Sequence, residues 1–190
     1  MIGAISTRIH KPMPERSELE RLLTFRDGRL YWLPRGRKDF RSDRAMKSWN
    51  SRYAGAVAGG IMSNGYRLIS IGNSKYLEHR IIFHMLVRDL HPEECIDHID
   101  LDISNNSIGN LRACTHAQNL MNQPGRRPLG SLPKHVFWSK REQKFKVGFR
   151  ANGKRHHVGT FGTAAEADEA ARAARAVLHG EFANDQRSRS

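Results

Sequence analysis

The sequence IDHIDLDISNNSIGNLRACTHAQN, residues 96–119, carries the residue types that decide both the fold and the chemistry expected of this chain. It holds the pair Asp97-His98, then Asn110 twelve positions after the histidine, and Asn119 nine positions further on. A neutral imidazole can take a proton from water near about pH 7. Carboxylate and amide oxygens can bind a hard divalent cation such as Mg²⁺, which stabilises a leaving oxygen. The combination indicates metal-assisted hydrolysis of a phosphodiester.

Local patterns around these residues predict a strand, a polar loop, a second strand and a helix. The strands are expected at residues 96–99 and 111–114. Thr115 and Gln118 have the spacing of a capping box, so a helix should begin there and carry Asn119 in its first turn. Such a frame can bring Asn119 to the Asp-His pair.

The loop between the two strands also has the spacing at which a calcium-binding loop starts, at Asp100, Asp102 and Ser104. That loop needs glycine at its sixth position and glutamate at its twelfth, where this chain has Asn105 and Leu111. We therefore predict Asx turns in the loop rather than a calcium site.

Composition predicts a polyanion as the partner and excludes a structural zinc site. The 190 residues carry a formal net charge of +13, which attracts polyanions without selecting one. The two cysteines, Cys95 and Cys114, cannot form a four-ligand zinc site without histidines at zinc-finger spacing, so both are expected to be reduced and partly buried. No segment approaches the roughly 20 apolar residues of a membrane helix. Because the N-terminal residues lack an apolar run followed by a small-residue cleavage site, we expect no secretory signal. We predict a cytoplasmic protein.

The region before residue 96 reads as rich in β-structure, with two helices. Residues 1–13 are expected to be loose, and residues 34–52 basic and irregular, with Arg35-Gly36-Arg37-Lys38 as either a solvated loop or a phosphate contact. The predicted elements are a helix at 17–23, a hairpin at 26–32 turning at Asp27-Gly28, a strand at 66–71, and a helix at 79–88 burying Ile82, Phe83, Leu86 and Val87. His79 and Arg80 are candidates for a phosphate contact.

The region after residue 122 predicts a linker and a second small domain. Residues 123–133 hold three prolines and two glycines without an apolar period. Three strands are expected at 135–138, 144–150 and 154–161, with a hairpin turn at Asn152-Gly153. Thr163 and Glu166 form a capping box that opens an alanine-rich helix at 164–178, ending near Gly180.

The pieces NGYRLISI, EHRIIFHML and DHID…NNSIGNLR…QN resemble the HNH homing endonucleases of phage type, which have the ββα-metal (His-Me finger) fold. The resemblance covers roughly residues 25–122, and Asn119 in place of a third-motif histidine matches the HNN variant. It implies that His98 is the general base and that Asp97 and Asn119 bind one Mg²⁺ or Mn²⁺ per active site. It also implies that Asn110 shapes the loop and orients His98.

Residues 130–184 resemble the DNA-binding domain of plant ethylene-response factors, relatives of which occur appended to phage HNH nucleases. In that family a three-stranded sheet enters the major groove, although Phe145 stands here where the family often has Trp. Lys144, Lys146 and Arg150 share strand parity, and Gly148 leaves space in that row for DNA. The residues expected to contact DNA are Trp138, Lys140, Lys144, Lys146, Arg150, Lys154 and Arg155.

The predicted fold class is α+β. A β-rich N-terminal region leads into a ββα-metal HNH core, and a separate three-stranded antiparallel sheet then packs on one helix. The predicted limits are an N-terminal segment with a short helix (1–24), an HNH domain (25–122, core at about 95–122), a linker (123–133), a DNA-binding domain (134–184) and a disordered tail (185–190).

The functional hypothesis is a site-specific, metal-dependent endonuclease that nicks double-stranded DNA as a monomer in the cytoplasm of a bacterium or of a phage-infected host. One alternative is a sequence-specific DNA-binding protein with an inactive nuclease site. Another is a basic protein of the ribosome. Competition separates it from the first hypothesis: if the predicted sheet binds the major groove, duplex DNA should outcompete structured RNA, because A-form RNA has a major groove that side chains cannot enter.

Overall fold

The computed structural model of the protein describes residues 10–122, 132–151 and 154–183, which form parts of two compact units, Met1–His116 and Ala117–Ser190. The predicted linker (123–133) lies mostly outside the described residues, as do the predicted loose N-terminus up to residue 9, the Asn152-Gly153 turn and the predicted disordered tail. The units divide within a helix, and the domain limits stay a prediction.

The first unit is a mixture of short antiparallel sheets and helices, consistent with the α+β class. Its elements are α1 (Arg16–Leu22), β1 (Leu23–Arg26), β2 (Arg29–Trp32), α2 (Asp43–Tyr53), β3 (Gly60–Ile61), β4 (Arg67–Ile71), β5 (Ser74–Leu77), α3 (Glu78–Leu86), β6 (Cys95–His98) and β7 (Leu111–Cys114). The sheets are β1-β2, β3-β4-β5 and β6-β7, all antiparallel.

Turn chemistry explains how these strands are connected. Asp27 and Gly28 both have positive φ (48° and 74°), which is the backbone that a tight hairpin turn between β1 and β2 requires. At Gly59 a Cβ would lie 2.1 Å from the carbonyl oxygen of Leu68, so β3 can approach β4 only because this residue has no side chain.

One apolar cluster holds the first unit together and anchors α3 at its centre. Its buried members are Leu19, Leu22, Leu23, Leu30, Trp32, Ala58, Ile69, Ile81, Ile82, Phe83, Met85, Leu90, Ile96 and Leu111. The prediction that Leu86 and Val87 face this core is wrong: they are 42% and 46% exposed, because α3 ends at Leu86 and its buried side is formed by Ile81, Ile82 and Met85.

The basic stretch predicted to be irregular contains helix α2. Ser42 caps it, since its side-chain oxygen accepts a hydrogen bond from the backbone N–H of Ala45 at 3.2 Å. No residue of α2 is fully buried, although Met46, Trp49 and Tyr53 recur at the spacing i, i+3 and i+7 of an amphipathic helix.

The second unit is a three-stranded antiparallel sheet covered by a long helix. Its elements are α4 (His116–Asn122), β8 (Val136–Ser139), β9 (Lys144–Ala151), β10 (Lys154–Phe161) and α5 (Ala164–His179), with strand order β10-β9-β8. The first residue of α4, His116, is assigned to the first unit. Thr163 and Glu166 form the predicted capping box, and α5 ends at Gly180 with φ of 54°. Val136, Val147, Ala167 and Ala171 form the core, where alanines let α5 lie close to the sheet.

No helix within the described residues is long and apolar enough to cross a membrane.

Candidate active site

The β6-β7 hairpin presents Asp97 and His98 as neighbours at the end of a buried strand. Every residue of β6 is buried, and Asp97 and His98 are 5% and 4% exposed. Asp97 pairs across the hairpin with Arg112, whose Nε and Nη2 both bind Asp97 Oδ2, at 2.9 and 2.8 Å. The carboxylate is therefore held in place by a forked ion pair from the neighbouring strand.

His98 is held from the loop by a buried amide. Its Nε2 lies 2.9 Å from Oδ1 of Asn106, which is 3% exposed, and the amide Nδ2 of Asn106 donates to Glu78 Oε2 at 3.1 Å. A carboxylate can only accept, so the NH₂ group of Asn106 must face Glu78 and its oxygen must face His98. Nε2 is then the protonated nitrogen of the neutral ring, and the lone pair lies on Nδ1.

Glu78 is the fixed end of this chain of contacts. The residue is 1% exposed and opens helix α3. Its Oε1 accepts the backbone N–H of Leu30 at 3.0 Å, and Arg29 Nη1 donates to its Oε2 at 3.1 Å, with Arg67 Nε at 3.8 Å. Buried charge is tolerated where donors and opposite charges surround it, and this carboxylate has both.

Asn110 closes the loop that follows His98. Its side-chain oxygen accepts the N–H of Asp100 at 3.0 Å, and its Nδ2 donates to Asp100 Oδ1 and to the carbonyl oxygen of Asn105, both at 2.8 Å. Its backbone oxygen accepts the N–H of Ile99 at 2.9 Å. All the loop groups that Asn110 binds lie within twelve residues of it, so its position suits the expected loop-shaping role.

Hydrogen bonds within the same loop are those of the predicted Asx turns. Asp100 and Asp102 each accept the backbone N–H two residues further on, at 2.8 Å. Burial raises the pKa of Asp100, but hydrogen bonds from Asn105, from the Asp102 N–H and from Asn110 outweigh it, so the pKa is lowered overall. The carboxylates serve as internal acceptors that rigidify the loop.

Neutral rings line one side of His98. The His79 ring lies edge-on to it, with centroids 5.1 Å apart, and Tyr66 lies 6.3 Å away. Burial, followed by the neighbouring His98, lowers the pKa of His79 to about 3, so His79 stays neutral near His98. His79 and Arg80 are 5% and 4% exposed, which leaves neither at the surface for the phosphate contact considered from the sequence.

Asn119 lies half-buried on α4 and belongs to the second compact unit, whereas Asp97 and His98 belong to the first. Within residues 10–122, 132–151 and 154–183, no cluster of three or more His, Cys, Asp or Glu side chains is placed to hold a metal ion. A site made from one carboxylate and one amide would contain only one side chain of these four types. Magnesium is commonly held by one or two carboxylates, with water and substrate phosphate completing its shell.

The donor chemistry of Asp97 fits such a cation. Arg112 Nε and Nη2 both reach Oδ2, and a carboxylate can accept hydrogen bonds and bind a cation at the same time because each of its oxygens carries more than one lone pair. The oxygens of Asp97 and Asn119 are hard ligands of the kind that Mg²⁺ or Mn²⁺ prefers. The two buried cysteines lie opposite each other as free thiols at the far end of the hairpin, and burial raises the pKa of Cys114 to about 12.

The residues predicted to contact DNA divide between the faces of the second unit's sheet. Opposite residues share a face, so the register puts Lys144, Lys146 and Arg155 on the outer face with Phe137. Trp138 instead stands opposite Phe145, with ring centroids 4.7 Å apart, on the side that packs on α5. Trp138 is nevertheless 41% exposed.

The remaining members of that set differ in how they are held. Lys144, Lys154 and Arg155 are exposed, as is Lys140, which follows β8, whereas Lys146 binds Glu142 at 2.6 Å. The side chain of Arg150 lies outside the described residues, and its backbone pairs with Arg155. A Cβ at Gly148 would lie 3.0 Å from the His156 carbonyl oxygen, so this glycine also relieves a contact inside the sheet.

Sequence reasoning missed three residues that hold the site: Glu78, Asn106 and Arg112. Glu78 is twenty positions before His98, and nothing in its neighbourhood marks it as different from a surface glutamate. Arg112 had a partial signal, because the strands predicted at 96–99 and 111–114, aligned end to end, place it opposite His98, one position from its observed partner Asp97. Asn106 was recognised only as a loop residue.

Residues 76–121 match a family model described as HNH endonuclease. The matched span contains Asp97, His98, Asn110 and Asn119, and it also contains Glu78 and Asn106. No curated protein and no solved structure matches the chain. The family match supports a nuclease with DNA as its substrate, and such nucleases usually use a divalent metal.

Proposed function

We propose that the chain is a divalent-cation-dependent DNA endonuclease that nicks one strand of a double-stranded site. His98 is the general base, Asp97 and Asn119 bind one Mg²⁺ or Mn²⁺, and the second unit reads the DNA. The observation that carries the proposal is the buried chain Glu78–Asn106–His98 next to the ion-paired Asp97, inside the span that matches the HNH endonuclease family.

The chain of contacts prepares His98 for proton abstraction. Because Nε2–H is bound to the Asn106 oxygen, Nδ1 is the nitrogen that takes the proton from the attacking water. The imidazolium that forms gains from the same contact, since the proton on Nε2 stays hydrogen-bonded while Glu78 lies behind the amide. In this arrangement His98 is the base, and Asn106 is the polar residue that orients it.

The cation expected at Asp97 and Asn119 would supply charge stabilisation that the protein groups described above do not provide. When bound, it stabilises negative charge on the phosphate and on the leaving oxygen. Asp97 is oriented for that role by Arg112, and Arg112 places positive charge beside the carboxylate. Asn110 keeps the loop after His98 in one conformation through its contacts to Asp100 and Asn105.

The second unit supports DNA binding through its outer face. Lys144 and Arg155 are exposed there, and the opposite face is occupied by the core against α5. A two-stranded β-ribbon fits the major groove, so β9 and β10, which carry these two residues, are of a size to enter it. We propose that the protein acts as a monomer in a bacterial cytoplasm or in a phage-infected host, and the two buried free thiols fit a reducing compartment.

Nicking of supercoiled plasmid tests the proposal. The wild type should convert supercoiled to open-circular DNA with Mg²⁺ or Mn²⁺ and stop in EDTA. His98→Ala should lose this activity, whereas the matched control His91→Ala, an exposed histidine of the same unit, should keep it. Equal rates for His98→Ala and the wild type would exclude His98 as the base.

One observation favours the alternative, a DNA-binding protein with an inactive nuclease site. Asp97 is buried and already occupied by Arg112, so a cation must share the carboxylate with a guanidinium. Under that alternative the wild type binds DNA but does not nick it with any divalent cation, and Arg112→Gln does not restore cleavage.

A further inference from the structure

Helix α2 has two faces of different chemistry. Residues Arg44, Lys47, Ser48, Ser51 and Arg52 follow the spacing i, i+3, i+4, i+7 and i+8, which places them along one face. We call this face the α2 stripe. All five are exposed, and the two end residues, Arg44 and Arg52, are about 12 Å apart along the helix axis at about 1.5 Å per residue. Trp49 and Asn50 are half-buried on the other face.

The charge of this region is not balanced by its own acids. Residues 35–53 contain seven Lys and Arg against two Asp. Asp39 binds Arg21 at 2.7 Å, and Asp43 binds Arg37 at 2.8 Å. Within the described residues, no carboxylate forms an ion pair with the other exposed cations of the region. These are Lys38, Arg41, Arg44, Lys47 and Arg52.

A solvated helix face normally has a different pattern. Charges of alternating sign at i and i+4 stabilise such a face, and like charges at that spacing cost a few tenths of a kcal/mol. The α2 stripe has only Arg, Lys and Ser, all of which can donate hydrogen bonds to phosphate oxygens. The pattern therefore suits a polyanion better than it suits water.

An aromatic cleft opens beside the helix. It has a volume of about 540 Å³ and is lined by Trp32, Arg35, Trp49, Tyr53, Val57, Gly59, Gly60, Leu68 and Ser70. The Arg35 guanidinium lies 4.6 Å from the Trp32 ring centroid and 4.3 Å from that of Trp49. Asn50 fixes this arrangement, because its side chain accepts the Arg35 N–H and donates to the Arg35 carbonyl oxygen, both at 2.9 Å.

We propose that α2 and this cleft form a DNA-binding surface of the first unit, additional to the sheet of the second unit. The backbone phosphates of one strand lie along the α2 stripe, and a sugar or base edge of that strand enters the cleft against Trp49 and Tyr53. Aromatic rings beside cationic side chains are the combination that nucleic-acid strands need, because every base has a flat face and every phosphate a charge. The inference rests on the proposed function for the choice of DNA.

Salt dependence of DNA binding tests the stripe, measured on the full chain in EDTA so that no cleavage occurs. The variant Arg44→Gln, Lys47→Gln, Arg52→Gln should flatten the slope of log K against log salt by about 2 to 3, at about 0.9 per phosphate contact. The matched control Lys11→Gln, Arg26→Gln, Lys75→Gln removes three exposed positive charges from the same unit and should leave the slope nearly unchanged. Equal flattening by both variants would mean that only net charge matters, which overturns the proposal.

Photocrosslinking tests the surface without any substitution. Duplex DNA carrying 5-bromodeoxyuridine should crosslink to a peptide that contains Trp49 or Tyr53, with adducts identified by mass spectrometry. Adducts confined to residues outside 32–70 would overturn the inference. So would a stripe variant that loses binding to vesicles of phosphatidylserine but keeps the wild-type salt slope on DNA.

Plasmid nicking measured in parallel separates this inference from the proposed function. A wild type that nicks DNA while the stripe variant keeps its slope leaves the nuclease proposal intact and refutes the α2 surface. A wild type that never nicks, with a slope that flattens in the stripe variant, refutes the nuclease and retains the DNA-binding surface.

Discussion

Replacing Asn106 by alanine separates the role of the buried amide from that of the Asp97-His98 pair. The substitution removes both of its contacts, the acceptor for His98 Nε2 and the donor to Glu78 Oε2. Asp97, His98 and the loop contacts of Asn110 are left unchanged. We expect the variant to be folded, less stable and much slower in DNA cleavage.

The cost in stability follows from what the two partners lose. A hydrogen bond to a charged group contributes about 1.5–3 kcal/mol, and a buried donor left without an acceptor costs about 1–3 kcal/mol. The two costs do not add in full when the cavity admits water, because the water replaces part of the lost hydrogen bonding. We therefore expect a loss of about 3 kcal/mol in the free energy of unfolding. For a unit near 100 residues this lowers Tm by roughly 10–15 °C.

The cost in rate has an upper bound set by His98 itself. Removal of a general base typically costs about 10²–10⁴ in rate. Loss of a residue that only orients a functional group costs about 10–100. Asn106→Ala should therefore be slower than the wild type by about 10–100, and it should remain faster than His98→Ala.

The assay pairs denaturant unfolding with single-turnover nicking. Asn105→Ala is the matched control, because it removes the neighbouring amide, whose Nδ2 binds Asp100 Oδ2 at 2.7 Å, without touching His98. We expect this control to cost about 1 kcal/mol and little rate. A wild-type nicking rate in Asn106→Ala would show that the amide does not orient His98. An unchanged unfolding free energy would refute the contacts themselves.

Three further expectations follow from the same structure. His98→Ala should lower nicking by about 10²–10⁴ while DNA affinity, measured in EDTA, stays near that of the wild type. The folded-state pKa of His79, about 3, lies below its ordinary value of 6.5, so its contribution to stability is complete above about pH 6.5 and is lost as pH falls toward 3. Unfolding curves should therefore lose up to about 1.4 kcal/mol per pH unit in that window, and His79→Phe should flatten this dependence. Lys144→Ala should flatten the salt slope of binding by about one unit on all sequences, whereas Arg150→Ala should reduce the preference for the matched site by about 1–3 kcal/mol. Identical behaviour of the last two variants would leave the sheet with phosphate contacts only.

Elements that carry strong local signals were predictable from the sequence. The Asp27-Gly28 turn, the strands of the β6-β7 hairpin and the capping box at Thr163 all appear as expected. In each case the determining interaction joins residues close in sequence, such as a side chain that caps its own helix. The N-terminal helix likewise lies within one residue of its predicted bounds.

Elements fixed by the surroundings were not predictable in the same way. Helix α2 carries Met46, Trp49 and Tyr53 at helical spacing, but none of its residues is fully buried, and it packs through Trp49 against Trp32, which lies seventeen positions earlier. Leu86 and Val87 continue the apolar pattern of α3, yet the helix ends at Leu86, and the core is already filled by Ile81, Ile82 and Met85. A pattern reports which residues are apolar, but not how much core there is for them to enter.

Sequence patterns also do not reveal the long-range contacts that hold the candidate site. Those contacts connect the β1-β2 hairpin to His98. Glu78 opens α3, where the helix dipole favours a negative charge, and Leu30 and Arg29 of the β1-β2 hairpin supply two of its donors. Glu78 in turn fixes the amide of Asn106, and the amide fixes which nitrogen of His98 carries the proton. The tautomer of the proposed base therefore depends on a hairpin nearly seventy residues earlier in the chain. Residues as distant as Arg29 can alter the reaction without contacting DNA, because the polar contacts between them and His98 form one buried path.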